Sequence, residues 1–140
     1  MNTITTVKIA RPPHISESEP CPVPLNNTFI LKCQALYTSK EPVSLTGAKI
    51  YFTIKSALTD LDASAKLCKN STSNPTYFSV DAATLGLYTV IVPAGDFVTA
   101  TMSADTNYYI DTEIILASGR VFTHIYDTIR MFQQTTKATT

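Results

Sequence analysis

Hydrophobic and polar residues alternate along several short stretches of the chain, and this two-residue period predicts strands with one buried face. The alternation is most regular at residues 48–55. The apolar residues that share one face there are Ala48, Ile50, Phe52 and Ile54. Residues 29–36 show the same period, with apolar side chains at positions 29, 31, 33 and 35. We therefore predict a half-buried strand at each of these two places.

The rest of the chain continues in short apolar, β-branched segments separated by turn residues. Further strands are predicted at residues 66–69, 76–80, 86–92, 108–116, 121–126 and 128–132, and one short helix is predicted within residues 94–105. Seven or eight short strands at regular spacing, without alternation of strand and helix, are typical of an all-β, antiparallel β-sandwich. A small β-barrel is the alternative architecture.

The N-terminal part of the chain has a different composition. Residues 1–9 alternate weakly and predict a short edge strand or a strand exchanged with a neighbour. Residues 11–25 carry five of the eight prolines, and proline cannot donate ladder hydrogen bonds and favours extended geometry. We interpret residues 1–25 as an N-terminal strand and Pro-rich arm, residues 26–133 as the sandwich and residues 134–140 as a polar tail. A surface loop folded against its own domain is the alternative to an arm.

Composition narrows the classes of partner. The 140 residues carry a formal net charge of zero, and only 16% of them are charged. Binding to nucleic acid or to an anionic membrane relies on a basic surplus, so we expect neither. A neutral, charge-poor surface favours self-association. The chain has no apolar run of membrane-spanning length, and its first residues lack the pattern of a secretion signal, so we expect no export.

The residue types that perform chemistry do not form a familiar motif. The cysteines, at positions 21, 33 and 68, lack zinc-ligand spacing, so we expect reduced thiols, with one disulfide or an intermolecular bond left open. Asp60 and Asp62 are too few oxygen ligands for Ca²⁺, which favours a solvated loop. His124 lies near Asp127, but no nucleophile motif accompanies them. We therefore expect no catalytic residue, no metal site and no cofactor.

Protein–protein contacts are the remaining role for distinctive residues. The arm prolines would bind neighbours, and exposed tyrosines suit interfaces because they bury apolar area while keeping a hydroxyl. The candidate interface residues are Pro12, Pro13, Pro20, Pro22, Pro24, Tyr108, Tyr109 and Tyr126. For the tyrosines, a place in the core or on a strand surface is the alternative.

An ordered set of short segments carries a family resemblance across residues 44–135. The segments are Leu45-Thr46-Gly47-Ala48, Gly86-Leu87-Tyr88, Pro93-Ala94, the strand from Asn107 to Ile114, and Gly119-Arg120-Val121-Phe122-Thr123. In this order they resemble the immunoglobulin-like domains of tailed-phage virion proteins, most closely the N-terminal domain of baseplate upper proteins. The resemblance implies an immunoglobulin-like sandwich in a non-enzymatic structural subunit of a virion.

The resemblance also sets the expected partners and location. We expect the chain to be made in the host cytoplasm and to lie in the virion, in the tail, baseplate or neck, bound to other virion proteins and to copies of itself. A capsid decoration protein is one alternative. A receptor- or carbohydrate-binding adhesin module is the other, although it would need an exposed aromatic platform and the chain has no Trp.

Overall fold

A computed structural model describes residues 4–5, 20–57 and 59–133. This part of the chain contains ten strands, one α-helix and three short 3-10 helices. The strands are β1 (Ile4–Thr5), β2 (Cys21–Pro24), β3 (Phe29–Gln34), β4 (Leu36–Tyr37), β5 (Lys49–Lys55), β6 (Leu67–Asn70), β7 (Phe78–Ala82), β8 (Leu87–Val92), β9 (Thr106–Ile115) and β10 (Val121–Phe132). The helix α1 spans Ala94–Thr99, and the 3-10 helices span Asp62–Ser64, Pro75–Tyr77 and Ala83–Leu85. The predicted all-β class is confirmed.

The strands form two main sheets and one small pair. The first sheet has five strands in the order β2-β10-β9-β5-β6, and the second has three in the order β3-β8-β7. β1 pairs with β4 of the same chain. All pairs between these strands are antiparallel except that of β2 with β10, which is parallel. The parallel pair differs from the wholly antiparallel architecture that the sequence predicted.

The core lies between the two main sheets. Phe29 of the three-stranded sheet stacks on Phe52 of the five-stranded sheet, with ring centroids 6.3 Å apart. Phe97 of α1 meets Phe29 edge to face at 6.4 Å, so the helix covers one end of the core. The alternation predicted for β3 and β5 is confirmed, since residues 29, 31 and 33 and residues 50, 52 and 54 are buried.

The segment at residues 21–24 is part of the sheet, whereas the sequence predicted an arm that continues to residue 25. Cys21 and Val23 are buried, and Leu25 donates its amide hydrogen to the carbonyl of Phe132 at 2.9 Å. β2 lies at the edge of its sheet, where a proline is tolerated because one side of the strand needs no ladder hydrogen bonds. The prolines of residues 21–24 are therefore compatible with an edge strand, where the sequence predicted an arm.

The long strand β10 replaces the two strands predicted at residues 121–126 and 128–132. Its pairing with β9 shifts register between Thr123 and Ile125, which leaves His124 as the extra residue of a β-bulge. The bulge bends the strand without ending it, so pairing continues to Met131. The imidazole of His124 is fully buried as a result.

Gly86 makes the connection into β8 possible. Its φ is +69°, in the left-handed region that glycine adopts without strain. A Cβ at this position would overlap the carbonyl oxygen of Ala35, the residue that follows β3. The backbone of β8 can therefore lie this close to the end of β3 only because residue 86 has no side chain.

Candidate functional site

The predicted interface residues fall into three groups. Pro12 and Pro13 lie outside the described residues. Pro20 is half-buried just before β2, while Pro22 and Pro24 lie on β2 and alternate with buried neighbours, so they face away from the core. The prediction for the last two therefore concerns a sheet surface instead of an arm.

Tyr108 is a core residue. Its side chain is 3% exposed, and its hydroxyl accepts a hydrogen bond from the backbone amide of Ser103 at 2.7 Å. The side chain is on the inner face because Tyr108 alternates with the half-buried Tyr109 along β9. Tyr108 is thus a core residue, as the alternative interpretation had it. It is not available as a surface contact in this chain.

Tyr109 and Tyr126 lie on the outer side of the five-stranded sheet, which we call the outer face. Its central members lie on the neighbouring strands β5 and β9 and are Lys49, Tyr51, Thr53 and Lys55 of β5 and Tyr109, Asp111, Glu113 and Ile115 of β9. β10 adds Tyr126, which is 53% exposed and pairs with Asp111. Pro22 and Pro24 form one margin of this face, beside Arg130 and Phe132.

Cross-strand pairing fixes the order of side chains on the outer face. Tyr51 pairs with Glu113, and Thr53 pairs with Asp111. A depression of about 380 Å³ lies over these pairs, and Cys68 of β6 completes its wall. The walls of the depression are side chains of the sheet surface itself.

Charge on the outer face is divided between two neighbouring strands. β5 carries the basic residues Lys49 and Lys55, and β9 carries the acidic residues Asp111 and Glu113. The Lys49 ammonium lies 5.2 Å from the ring centroid of Tyr51, in a cation–π contact. The face therefore has a basic strip beside an acidic strip.

The two acidic residues differ in their surroundings. Asp111 accepts a hydrogen bond from the hydroxyl of Thr53 at 2.9 Å. Glu113 is half-buried, and its carboxylate makes no hydrogen bond or ion pair with any residue that the structure describes. A half-buried carboxylate without a partner is the feature of this surface that a bound partner would change most.

A separate set of polar side chains, linked by hydrogen bonds, lies in the core. The hydroxyl of Tyr88 is 2.5 Å from Nδ1 of His124 and 3.0 Å from Oγ1 of Thr112. Burial lowers the pKa of His124 to about 4 and raises the pKa of the Cys33 thiol to about 12. These groups are therefore neutral at pH 7, and the hydroxyl of Tyr88 connects the two sheets through Thr112 and His124.

The polar groups considered for metal or base chemistry lie in separate places. Asp60 accepts a hydrogen bond from the amide of Ala57 at 3.2 Å, and Asp127 accepts one from the amide of Thr128 at 2.8 Å. Within residues 4–5, 20–57 and 59–133, His, Cys, Asp and Glu side chains do not gather into a group of three that would hold a metal ion.

Sequence reasoning predicted a strand at each place but missed that the lysines of β5 lie beside Asp111 and Glu113 of β9. The signal was present, since Lys49 and Lys55 lie on the polar side of one predicted strand and Asp111 and Glu113 alternate with apolar residues in another. What was missing was the neighbour relation between β5 and β9, strands that are more than fifty residues apart in the sequence.

Comparison with known proteins adds no relative: no protein-family model matches the chain, and no curated protein matches it. In the described portion of the chain, no helix combines the length and the apolar character needed to cross a membrane.

Proposed function

We propose that the chain is an immunoglobulin-like β-sandwich that serves as a non-enzymatic structural subunit of a tailed-phage virion. In this role it lies in the tail, baseplate or neck and binds other virion proteins and copies of itself. The observation that carries the proposal is the outer face, a broad sheet surface with tyrosines among charges of both signs. Tyrosine and arginine are enriched at protein interfaces, where they supply apolar area together with polar contacts.

The strand order supports the immunoglobulin-like part of the proposal. The order β10-β9-β5-β6 corresponds to strands G, F, C and C′ of a variable-type immunoglobulin domain, and β3-β8-β7 corresponds to B, E and D. Tyr108 supports it as well. Its hydroxyl accepts a hydrogen bond from backbone five residues upstream, in the manner of the tyrosine corner near the start of strand F.

The resemblance of residues 44–135 to phage virion domains supplies the particle. Such a subunit functions by binding its neighbours, and a rigid sandwich does this through its sheet faces and strand edges. The segments at residues 1–19 and 134–140 supply further contacts with neighbouring subunits.

The N-terminal contact is tested by deleting residues 1–19. The deletion removes the two-residue strand β1 and stops before β2, because Cys21 and Val23 belong to the core. We expect the shortened chain to keep the far-ultraviolet circular dichroism of a β protein but to be missing from particles purified on a density gradient. Normal incorporation would refute the role of the segment.

The full-length chain is the control, and it tests the virion assignment directly. Its absence from purified particles would refute that assignment. Density on the capsid shell in a particle reconstruction would favour the decoration alternative, and specific signals on a glycan array would favour the adhesin.

A further inference from the structure

We propose that the outer face binds the outer face of a second copy of this chain, about a two-fold axis that runs parallel to β5 and β9 and between them. Because it concerns contacts between copies, the dimer rests on the proposed function and names the surface through which that function is performed. The occupant of the face is thus a second copy of the same chain.

The charge pattern selects this axis. β5 is basic and the neighbouring β9 is acidic. A two-fold axis along the strands and between them places β5 of each copy over β9 of the other, so basic strips meet acidic strips. An axis across the strands would place like charges over each other. Self-complementarity of this kind is what a two-fold interface requires.

The register brings specific pairs together. Glu113 pairs with Tyr51 within the sheet, and Lys49 lies two residues from Tyr51, or about 7 Å along the strand. In the two-fold arrangement Glu113 of one copy therefore lies within side-chain reach of Lys49 of the other. Asp111 and Lys55 have the mirrored relation. Each pair occurs twice, because the interface contains each surface twice.

Glu113 and Lys49, at the centre of this arrangement, do not form ion pairs within one chain among the residues that the structure describes. Glu113 makes no hydrogen bond or ion pair with the described residues, and Lys49 lies over the ring of Tyr51 instead of pairing with a carboxylate. Bringing Lys49 of a second copy to Glu113 gives this carboxylate a cationic partner where desolvation would otherwise be costly.

The size of the face fits a weak dimer. The axis between β5 and β9 superposes four strands, β10, β9, β5 and β6, which at about 4.8 Å spacing are about 19 Å wide, and the seven residues of β5 are about 24 Å long. Two such faces bury roughly 900 Å², below the lower limit of about 1,200 Å² for stable interfaces and in the range of weak contacts. Tyr126, at 53% exposure, and Tyr51 supply apolar area among the charges. An isolated dimer of micromolar affinity is expected, and higher-order assembly would strengthen it.

The test uses the full-length chain and two charge reversals, Lys49→Glu and Glu113→Lys. Sedimentation velocity is measured for the unmodified chain and for each variant at concentrations up to about 500 μM, which detects a weak dimer. We expect a reversible dimer for the unmodified chain and at least a tenfold weaker association for each variant, because each homodimer then holds two pairs of like charges.

Mixing the two variants provides the rescue. In a one-to-one mixture, residue 49 of each chain meets the opposite charge at residue 113 of the other, so the mixture should associate within about threefold of the unmodified chain. This rescue also shows that both variants are folded. Matched controls are Lys32→Glu on the outer side of the three-stranded sheet and Glu41→Lys in the turn after β4, both at exposed positions. These should leave the dissociation constant within about twofold.

Three results would overturn the dimer: an unmodified chain that stays monomeric over the whole range, variants that associate like the controls, or a mixture that fails to recover. A monomeric chain that is nonetheless present in purified particles would remove the dimer and leave the proposed function. A charge-dependent dimer of a chain absent from particles would do the reverse.

Discussion

The buried imidazole of His124 should make the stability of the fold depend on pH. The side chain is 0% exposed, and it lies at the β-bulge of β10 with its Nδ1 2.5 Å from the hydroxyl of Tyr88. Burial lowers its pKa from 6.5 to about 4, because a charged ring would lose its hydration in the core. Acidification is therefore the perturbation to apply.

The magnitude follows from the difference in pKa between the two states. In the unfolded chain the ring binds a proton below pH 6.5, whereas in the folded chain it does so only below about pH 4. The unfolded state thus holds more protons between these values, and the free energy of unfolding falls as the pH falls through this window. A difference of about 2.5 units at about 1.4 kcal/mol each gives a loss of about 3.5 kcal/mol once the pH is below 4, and about 2.5 kcal/mol of it is reached by pH 4.5. Above pH 6.5 this group contributes no pH dependence.

Urea unfolding followed by circular dichroism at pH 7, 6, 5 and 4.5 measures the effect. The comparison is with His124→Phe, which keeps an aromatic ring of similar size and cannot titrate. This variant should lose about 1 kcal/mol at pH 7 with the hydrogen bond to Tyr88. Its stability should be almost flat down to pH 5. The two proteins differ only at residue 124, so the difference between the two curves isolates the imidazole.

The other histidine of the sequence, His14, provides the matched control. His14→Asn should leave the pH dependence unchanged, and ring resonances in NMR spectra should assign the low pKa to His124. Equal pH slopes for the unmodified chain and His124→Phe would refute this reasoning. Loss of the slope in His14→Asn would also refute it.

Three further substitutions test the packing by chemical unfolding. Gly86→Ala should destabilise the fold by about 2 to 4 kcal/mol, since a Cβ there meets backbone at positive φ, whereas Gly95→Ala in α1 has open space and should change stability by less than about 1 kcal/mol. Equal effects would contradict the close approach of β8. Phe52→Ala should cost about 3 to 5 kcal/mol because the ring is fully buried, and a cost below about 1 kcal/mol would exclude it from the core. Tyr108→Phe should cost about 1 kcal/mol through the lost hydrogen bond to the Ser103 amide, and no cost would mean that this bond contributes nothing.

The strands that pack on one face were predictable from the sequence, and those set by distant pairing were not. The predicted faces of β3 and β5 are the buried ones, because alternation records burial directly. The predicted helix is present at Ala94–Thr99, close after the proline that ends β8. Local sequence was enough in these cases because the signal and the structure involve the same few residues.

Three features depend on which strands lie side by side, and the local sequence pattern does not show this. Residues 21–24 have the Pro-rich composition of an arm, and only their pairing with β10 identifies them as an edge strand. The bulge at His124 is invisible in a pattern read residue by residue, since it shifts the alternation by one position. The outer face needed the adjacency of β5 and β9, so neither its acidic strip nor its basic strip indicated a complementary surface by itself.

The parallel pairing of β2 with β10 has a mechanical consequence. Cys21 lies beside Ile129 and Pro24 beside Phe132, so the backbone entering β2 and the backbone leaving β10 point in opposite directions along one axis. Tension applied through these two ends loads the pair in shear, and its backbone contacts share the force instead of opening one after another. A hairpin pulled from its open end, such as β9 and β10, would unzip pair by pair. The pairing of β2 with β10 thus resists stretching of the domain along the strand axis.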